Sequence, residues 1–140
     1  MSKIFFDTSA LFSAIFSSRG AARELVRLSI RGSVTLYISQ DVVTEAERNL
    51  TNKAPEYLPV LNTLLDLNIF TFAPEITPKE VQAAAKYIEA KDAMIVAAAL
   101  KAKVTYLATF DRKHLIDPPA ASQESGLIIV TPGDILTAIR

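Results

Sequence analysis

The sequence predicts one three-layer α/β/α domain built on a central, mainly parallel sheet of about five strands. Two observations carry that expectation. Short apolar, β-branched runs alternate along the chain with segments of helical period, and no repeat, low-complexity tract or linker interrupts the alternation across residues 1–140. Strands separated by helices imply parallel crossover units, and such a sheet is covered on both faces. A chain of 140 residues is also long enough to bury one real core and short for two.

The first strand reads as Lys3–Phe6. Helical segments follow at Ser9–Phe16 and Ala21–Arg31, divided by the break Ser17-Ser18-Arg19-Gly20. A second strand, Val34–Ile38, enters a helix from about Gln40 to Leu50, with Ser39 as N-cap. After Pro55 a helix runs through Leu67, then a third strand, Ile69–Phe72. Thr77-Pro78-Lys79-Glu80 is a helix start with its capping box, and that helix extends to about Glu89. Asp92–Lys101 is nearly apolar all round from Ala93 to Leu100, which predicts a buried helix. Strands four and five are Tyr106–Ala108 and Leu127–Val130, and Thr131-Pro132 opens a terminal helix.

Composition narrows the chemistry. There is no cysteine and one histidine, His114, so disulfide scaffolds, cysteine nucleophiles and Cys/His zinc sites are excluded. A metal would be bound mainly by oxygen, which favours Mg²⁺ or Mn²⁺. The 15 basic and 15 acidic side chains balance, giving no global pull toward nucleic acid. No apolar run approaches the roughly 18 residues of a membrane span, and no signal peptide is legible, so no membrane contact is expected and the cytoplasm is the expected compartment.

Four acids occupy comparable places. Asp7 follows strand one directly, between two apolar segments, where an unpaired charge must reach solvent, find a partner or hold a metal. Asp111 lies just past strand four, and Asp92 stands at the head of the buried helix. On the helix after strand two, Glu45 and Glu47 flank the apolar stripe Val42, Val43, Ala46 and Leu50, and periodicity does not separate them. Hard divalent ions take such carboxylates as ligands. Each acid also has a plain structural reading. Asp92 can cap its helix, Asp111 can be a turn residue, and the glutamates can be a solvated flank; for Asp7 a capping role is less natural, since Thr8 or Ser9 can cap the following helix instead.

Taken together and in this order, FFDTSAL, ISQDVVTEAERNL, KDAMIVAAAL and YLATFDRKHL resemble the PIN-domain family of metal-dependent ribonucleases, with LIIVTPGDIL similar to the family's closing strand and helix. The resemblance covers nearly the whole chain. It implies an acidic cluster of Asp7, Glu45, Asp92 and Asp111, with Glu45 chosen over Glu47 by its place between Ser39 and Leu50, and supporting hydroxyls at Ser9 and Thr109. The implied activity is hydrolysis of RNA phosphodiester bonds with one or two Mg²⁺ or Mn²⁺ ions. Many small members of the family are toxins of toxin–antitoxin pairs. The resemblance therefore also implies a homodimer and a small antitoxin partner whose segment lies across the acidic groove.

Arg19, Arg23, Arg27 and Arg31 recur every four residues, a stripe that could follow a phosphate backbone or form a solvated face paired in part with Glu24. Arg112, Lys113 and His114 follow Asp111 and could meet substrate phosphates, although a lone histidine there reads first as structural or solvent-exposed. Two other classes compete: a non-catalytic PIN-like module binding RNA or protein, and a phosphoacceptor domain using Asp7. The second lacks its companions, since the position two residues after Asp7 is Ser9 rather than an aspartate.

Overall fold

The computed structural model describes residues 1–140. Five parallel strands form one sheet: β1 (Ser2–Phe6), β2 (Val34–Ile38), β3 (Phe70–Phe72), β4 (Tyr106–Ala108) and β5 (Ile128–Val130). Their order is β3-β2-β1-β4-β5. Ile4 sits opposite Leu36 on one side and Tyr106 on the other, so β1 is the middle strand. Its residues Ile4, Phe5 and Phe6 are all fully buried, as a central strand covered on both faces requires.

Eight α-helices join and cover the strands: α1 (Thr8–Phe16), α2 (Ala21–Ile30), α3 (Gln40–Lys53), α4 (Leu58–Asp66), α5 (Pro78–Ala84), α6 (Ala90–Lys101), α7 (Pro119–Ser125) and α8 (Pro132–Ile139). Most starts follow from local chemistry. Ser39 accepts the Val42 N–H, Thr131 accepts that of Asp134, and Thr77 and Glu80 make a reciprocal capping box ahead of Pro78. One apolar core of 38 buried residues runs through the sheet and its helices, with Phe6 edge-on to Phe70 at 5.7 Å between ring centres. No helix is long and apolar enough to cross a membrane.

Several expectations are corrected. The helix from Thr77 ends at Ala84, not near Glu89; residues 85–88 turn, and Ile88 folds back into the core. Helix α6 begins earlier, at Ala90, and is not buried all round: Met94 and Leu100 are exposed. Ala93, Val96, Ala97, Ala98 and Ala99 supply the buried face with Ile95 packed at its margin, and Met94 and Leu100 turn outward. Helix α7 has no counterpart in the sequence reading, because only Ala121 of its residues is buried and no apolar period marks it. The arginine stripe is not a free cationic face. Arg23 donates to the Ala14 and Ile15 carbonyls at 2.6 and 3.2 Å, Arg27 bonds Glu24 and the Ser18 carbonyl, and Arg31 pairs with Glu24; Arg19 precedes α2, whose N-cap is Gly20.

Strand order fixes where a site can form. The sheet grows from β1 through β2 to β3 on one side, then returns across to β4 and β5 on the other. The switch therefore falls between β1 and β4, and ligands in open α/β sheets bind beyond the carboxyl ends of the strands at such a point. Asp7 is the residue after β1, and Asp111 comes three residues after β4.

Candidate active site

Asp7 is the N-cap of α1. Its Oδ1 accepts the Ala10 N–H at 2.9 Å and the Ser9 hydroxyl at 2.7 Å, and its Oδ2 accepts the Thr109 hydroxyl. This corrects the expectation that Thr8 or Ser9 would cap the helix: the Ser9 hydroxyl is instead committed to Asp7 and to the Phe110 N–H, at 2.9 Å. Asp7 is buried, and burial pushes its carboxyl above the ordinary value of 3.8, with the Thr109, Ser9 and Ala10 bonds pulling the other way.

Thr109 is fully buried and joins the two strand ends. Its hydroxyl donates to Asp7 and accepts the Asp111 N–H at 3.0 Å, so β1 and β4 are coupled through side chains as well as through their ladder. Asp111 then opens a single π turn, Arg112–Ile116, by accepting the His114 N–H at 3.0 Å. That turn folds the imidazole back over its own cap: Nδ1 of His114 lies 3.2 Å from each Asp111 oxygen.

Asp92 is the third residue of α6, and Glu89 holds the N-cap place without a side-chain bond. The capping explanation for Asp92 therefore fails. One of its oxygens, Oδ2, is buried and has no hydrogen-bond partner. Burial, and next the charge of Asp111, push its carboxyl above 3.8. Asp92, Asp111 and His114 each present a ligand atom within 4.8 Å of the other two. An orphaned buried carboxylate oxygen beside a second carboxylate and an imidazole is a donor set that fits a divalent cation.

The structure brings Asp92 and Asp111 into one cluster. Asp7 reaches that cluster through Thr109 and is outside the 4.8 Å group, and so is Glu45. Glu45 and Glu47 are both exposed on α3, so burial does not choose between them. His114, read first as structural or solvent-exposed, is half-buried in the cluster. The available signal was Asp111-x-x-His114, the i to i+3 spacing that sets two side chains face to face within one turn.

A family model described as PIN domain matches residues 4–117, from the first strand through the turn that carries His114. This chain belongs to the PIN-domain family. No curated protein gives a sequence match. Among solved structures it is similar to PAE2754 from Pyrobaculum aerophilum, at TM-score 0.66 and 20% identity over 99% of this chain and 95% of that one. It is also similar to VapBC2 from Rickettsia felis, solved bound to a DNA fragment from its promoter, at TM-score 0.64 and 16% identity over 91% and 96% of the two chains. FitAcB from Neisseria gonorrhoeae gives TM-score 0.64 and 16% identity over 93% and 98%. The likeness to PAE2754 takes in 99% of this chain, so α7, β5 and α8, beyond the stretch matched by the family model, belong to the shared fold.

Proposed function

We propose that this PIN domain is a metal-dependent ribonuclease that hydrolyses RNA phosphodiester bonds and acts as the toxin of a toxin–antitoxin pair, with residues 1–140 working as one unit. The observation that carries the catalytic part is Asp92: a buried carboxylate oxygen without a partner, next to Asp111, at the switch point of the sheet. Asp7, Asp92 and Asp111 hold Mg²⁺ or Mn²⁺, directly or through water, and Glu45 is the residue we assign to ligation or to orienting the attacking water. When bound there, a divalent ion supplies charge neutralisation at the scissile phosphate and a more acidic water.

The chain's own residues supply the rest. Three donors fix the Asp7 carboxylate, so it does not reorganise during the reaction. Ser9 and Thr109 set its distance from the Asp111 backbone. Arg112 and Lys113 are exposed beside Asp111 and can take substrate phosphates. The phosphoacceptor reading loses ground, because the position two residues after Asp7 is Ser9, whose hydroxyl is spent on Asp7 and the Phe110 N–H.

The antitoxin and homodimer parts rest on family resemblance and on the shared fold of VapBC2 and FitAcB. The inhibiting segment of the antitoxin is assigned to the acidic groove, and an open groove of about 420 Å³ between α2 and α4, lined by Arg23 and Arg27 as well as Val26, Ile30, Leu64 and Leu67, is the further surface we assign to the rest of that partner. Incubation of pure protein with mixed RNAs tests the catalytic proposal. Cleavage is expected with Mn²⁺ or Mg²⁺ and is expected to stop in chelator and in Asp92→Asn. Cleavage that persists in chelator with that variant overturns it.

A further inference from the structure

We infer that His114 is a nitrogen ligand of the metal centre, oriented by Glu89, so that the site binds Mn²⁺ in preference to Mg²⁺; this rests on the metal-dependent reading above. The spacing carries the argument. Ligands at bond lengths of roughly 2.1 Å stand about 3 Å apart in adjacent positions and at most about 4.2 Å apart in opposite ones, so donors already within 4.8 Å need close by no more than about 0.6 Å around an ion. His114 Nδ1 lies 3.2 Å from both Asp111 oxygens, and the Asp92, Asp111 and His114 ligand atoms are mutually within 4.8 Å. Without an ion this spacing also suits an Nδ1–H shared between the two Asp111 oxygens; in the other tautomer, with the proton on Nε2, the Nδ1 lone pair faces the same point as the carboxylate.

The other ring nitrogen supports the same role. Nε2 of His114 lies 3.7 Å from Glu89 Oε2, on the opposite edge of the ring from Asp111; that is longer than a hydrogen bond, and the exposed Glu89 side chain has room to close the gap when the ring is held by an ion. A metal-bound histidine characteristically gives its second N–H to a carboxylate, which fixes the tautomer and the ring plane. Glu89 stands at the α6 N-cap position but makes no capping bond, which leaves its carboxylate for that task. Two carboxylates and an imidazole form a mixed O/N set, and imidazole favours transition metals over Mg²⁺, which takes oxygen ligands.

Because His114 is the only histidine in the chain, imidazole coupling to a bound ion has a single source. The test is pulsed EPR on tag-free wild-type protein loaded with Mn²⁺, with Mn²⁺ and Mg²⁺ affinities measured alongside by titration. The expected result is ¹⁴N modulation from a directly bound imidazole, lost in His114→Gln. The variant's Mn²⁺ affinity should fall at least tenfold, and its Mg²⁺ affinity less than threefold. Mn²⁺ bound by the wild type without nitrogen coupling overturns this inference and leaves the ribonuclease proposal standing. A wild type that binds no Mn²⁺ removes both. The wild-type spectrum decides by itself, so the result does not depend on the variant folding.

Discussion

Replacing Asp7 separates its two jobs. Asp7→Ala deletes the α1 cap, which costs about 1 kcal/mol. It also takes the acceptor from the Thr109 hydroxyl, which is fully buried, at a cost of about 1–2 kcal/mol. Release from a desolvated carboxylate offsets part of this, so the net loss is about 2 kcal/mol. For a chain of this size that lowers Tm by about 8 °C. Asp7→Asn keeps an oxygen for the Ala10 N–H, and asparagine caps as well as aspartate. Its amide can donate to Thr109, whose own proton then turns to the Ser9 oxygen 3.5 Å away, so this variant should melt within about 2 °C of wild type or above it. Thermal unfolding in chelator, followed by circular dichroism, measures all three proteins, and a cleavage assay should find both variants inactive. If Asp7→Ala is as stable as Asp7→Asn, the cap and the Thr109 bond do not hold the strand ends together, and the account of the opening aspartate is wrong.

Other consequences can be checked in the same way. Because the folded Asp92 carboxyl titrates above 3.8, its contribution to stability is fully present below that value and is lost as pH rises through the raised folded value. In chelator, Asp92→Asn should therefore gain on wild type as pH climbs across that window. The gain should level off near 1 kcal/mol: repulsion across about 5 Å is roughly 3 kcal/mol at an effective dielectric of about 20, reduced by partial exposure. A difference independent of pH would contradict the assignment. Arg23→Ala should cost about 2 kcal/mol in urea unfolding, since its guanidinium closes the last turn of α1, whereas Arg19→Ala should change stability by less than about 0.5 kcal/mol. Equal effects at the two positions would return the arginines to a common surface role. Ile30→Asp with Leu67→Asp should abolish co-purification with a co-expressed antitoxin and leave RNA cleavage intact; retained capture would move the partner elsewhere.

Much of the fold was legible because its signals are local. Ser39, Thr77, Pro78 and Thr131 announce helix starts, and the apolar runs at Ile4–Phe6, Val34–Ile38 and Tyr106–Ala108 announce strands. What escaped depends on partners distant in sequence. Whether Asp7 or a neighbouring hydroxyl caps α1 is decided by Thr109 and Phe110, which draw Ser9 away from the helix end. The exposure of Met94 and Leu100 depends on the absence of a further layer outside α6. Helix α7 does carry end signals, Pro119 at its first position and Gly126 at φ 77° as its terminator, but lacks the apolar stripe that gives such signals weight. At the site, the approach of Asp92 to Asp111 was readable as a constellation of acids, while the place of His114 beside them waits on a π turn that no periodicity rule describes.

The hydroxyl stitch between the ends of β1 and β4 also sets a timetable. Its bonds join residues 100 to 102 positions apart, so the loop they close contains most of the chain. During synthesis Asp7 leaves the ribosome well before Thr109 and Asp111, and until those arrive only its neighbours Ser9 and Ala10 hold the first carboxylate and the cluster is incomplete. The acidic cluster therefore assembles in a single late step, when the fourth strand slots in beside the first.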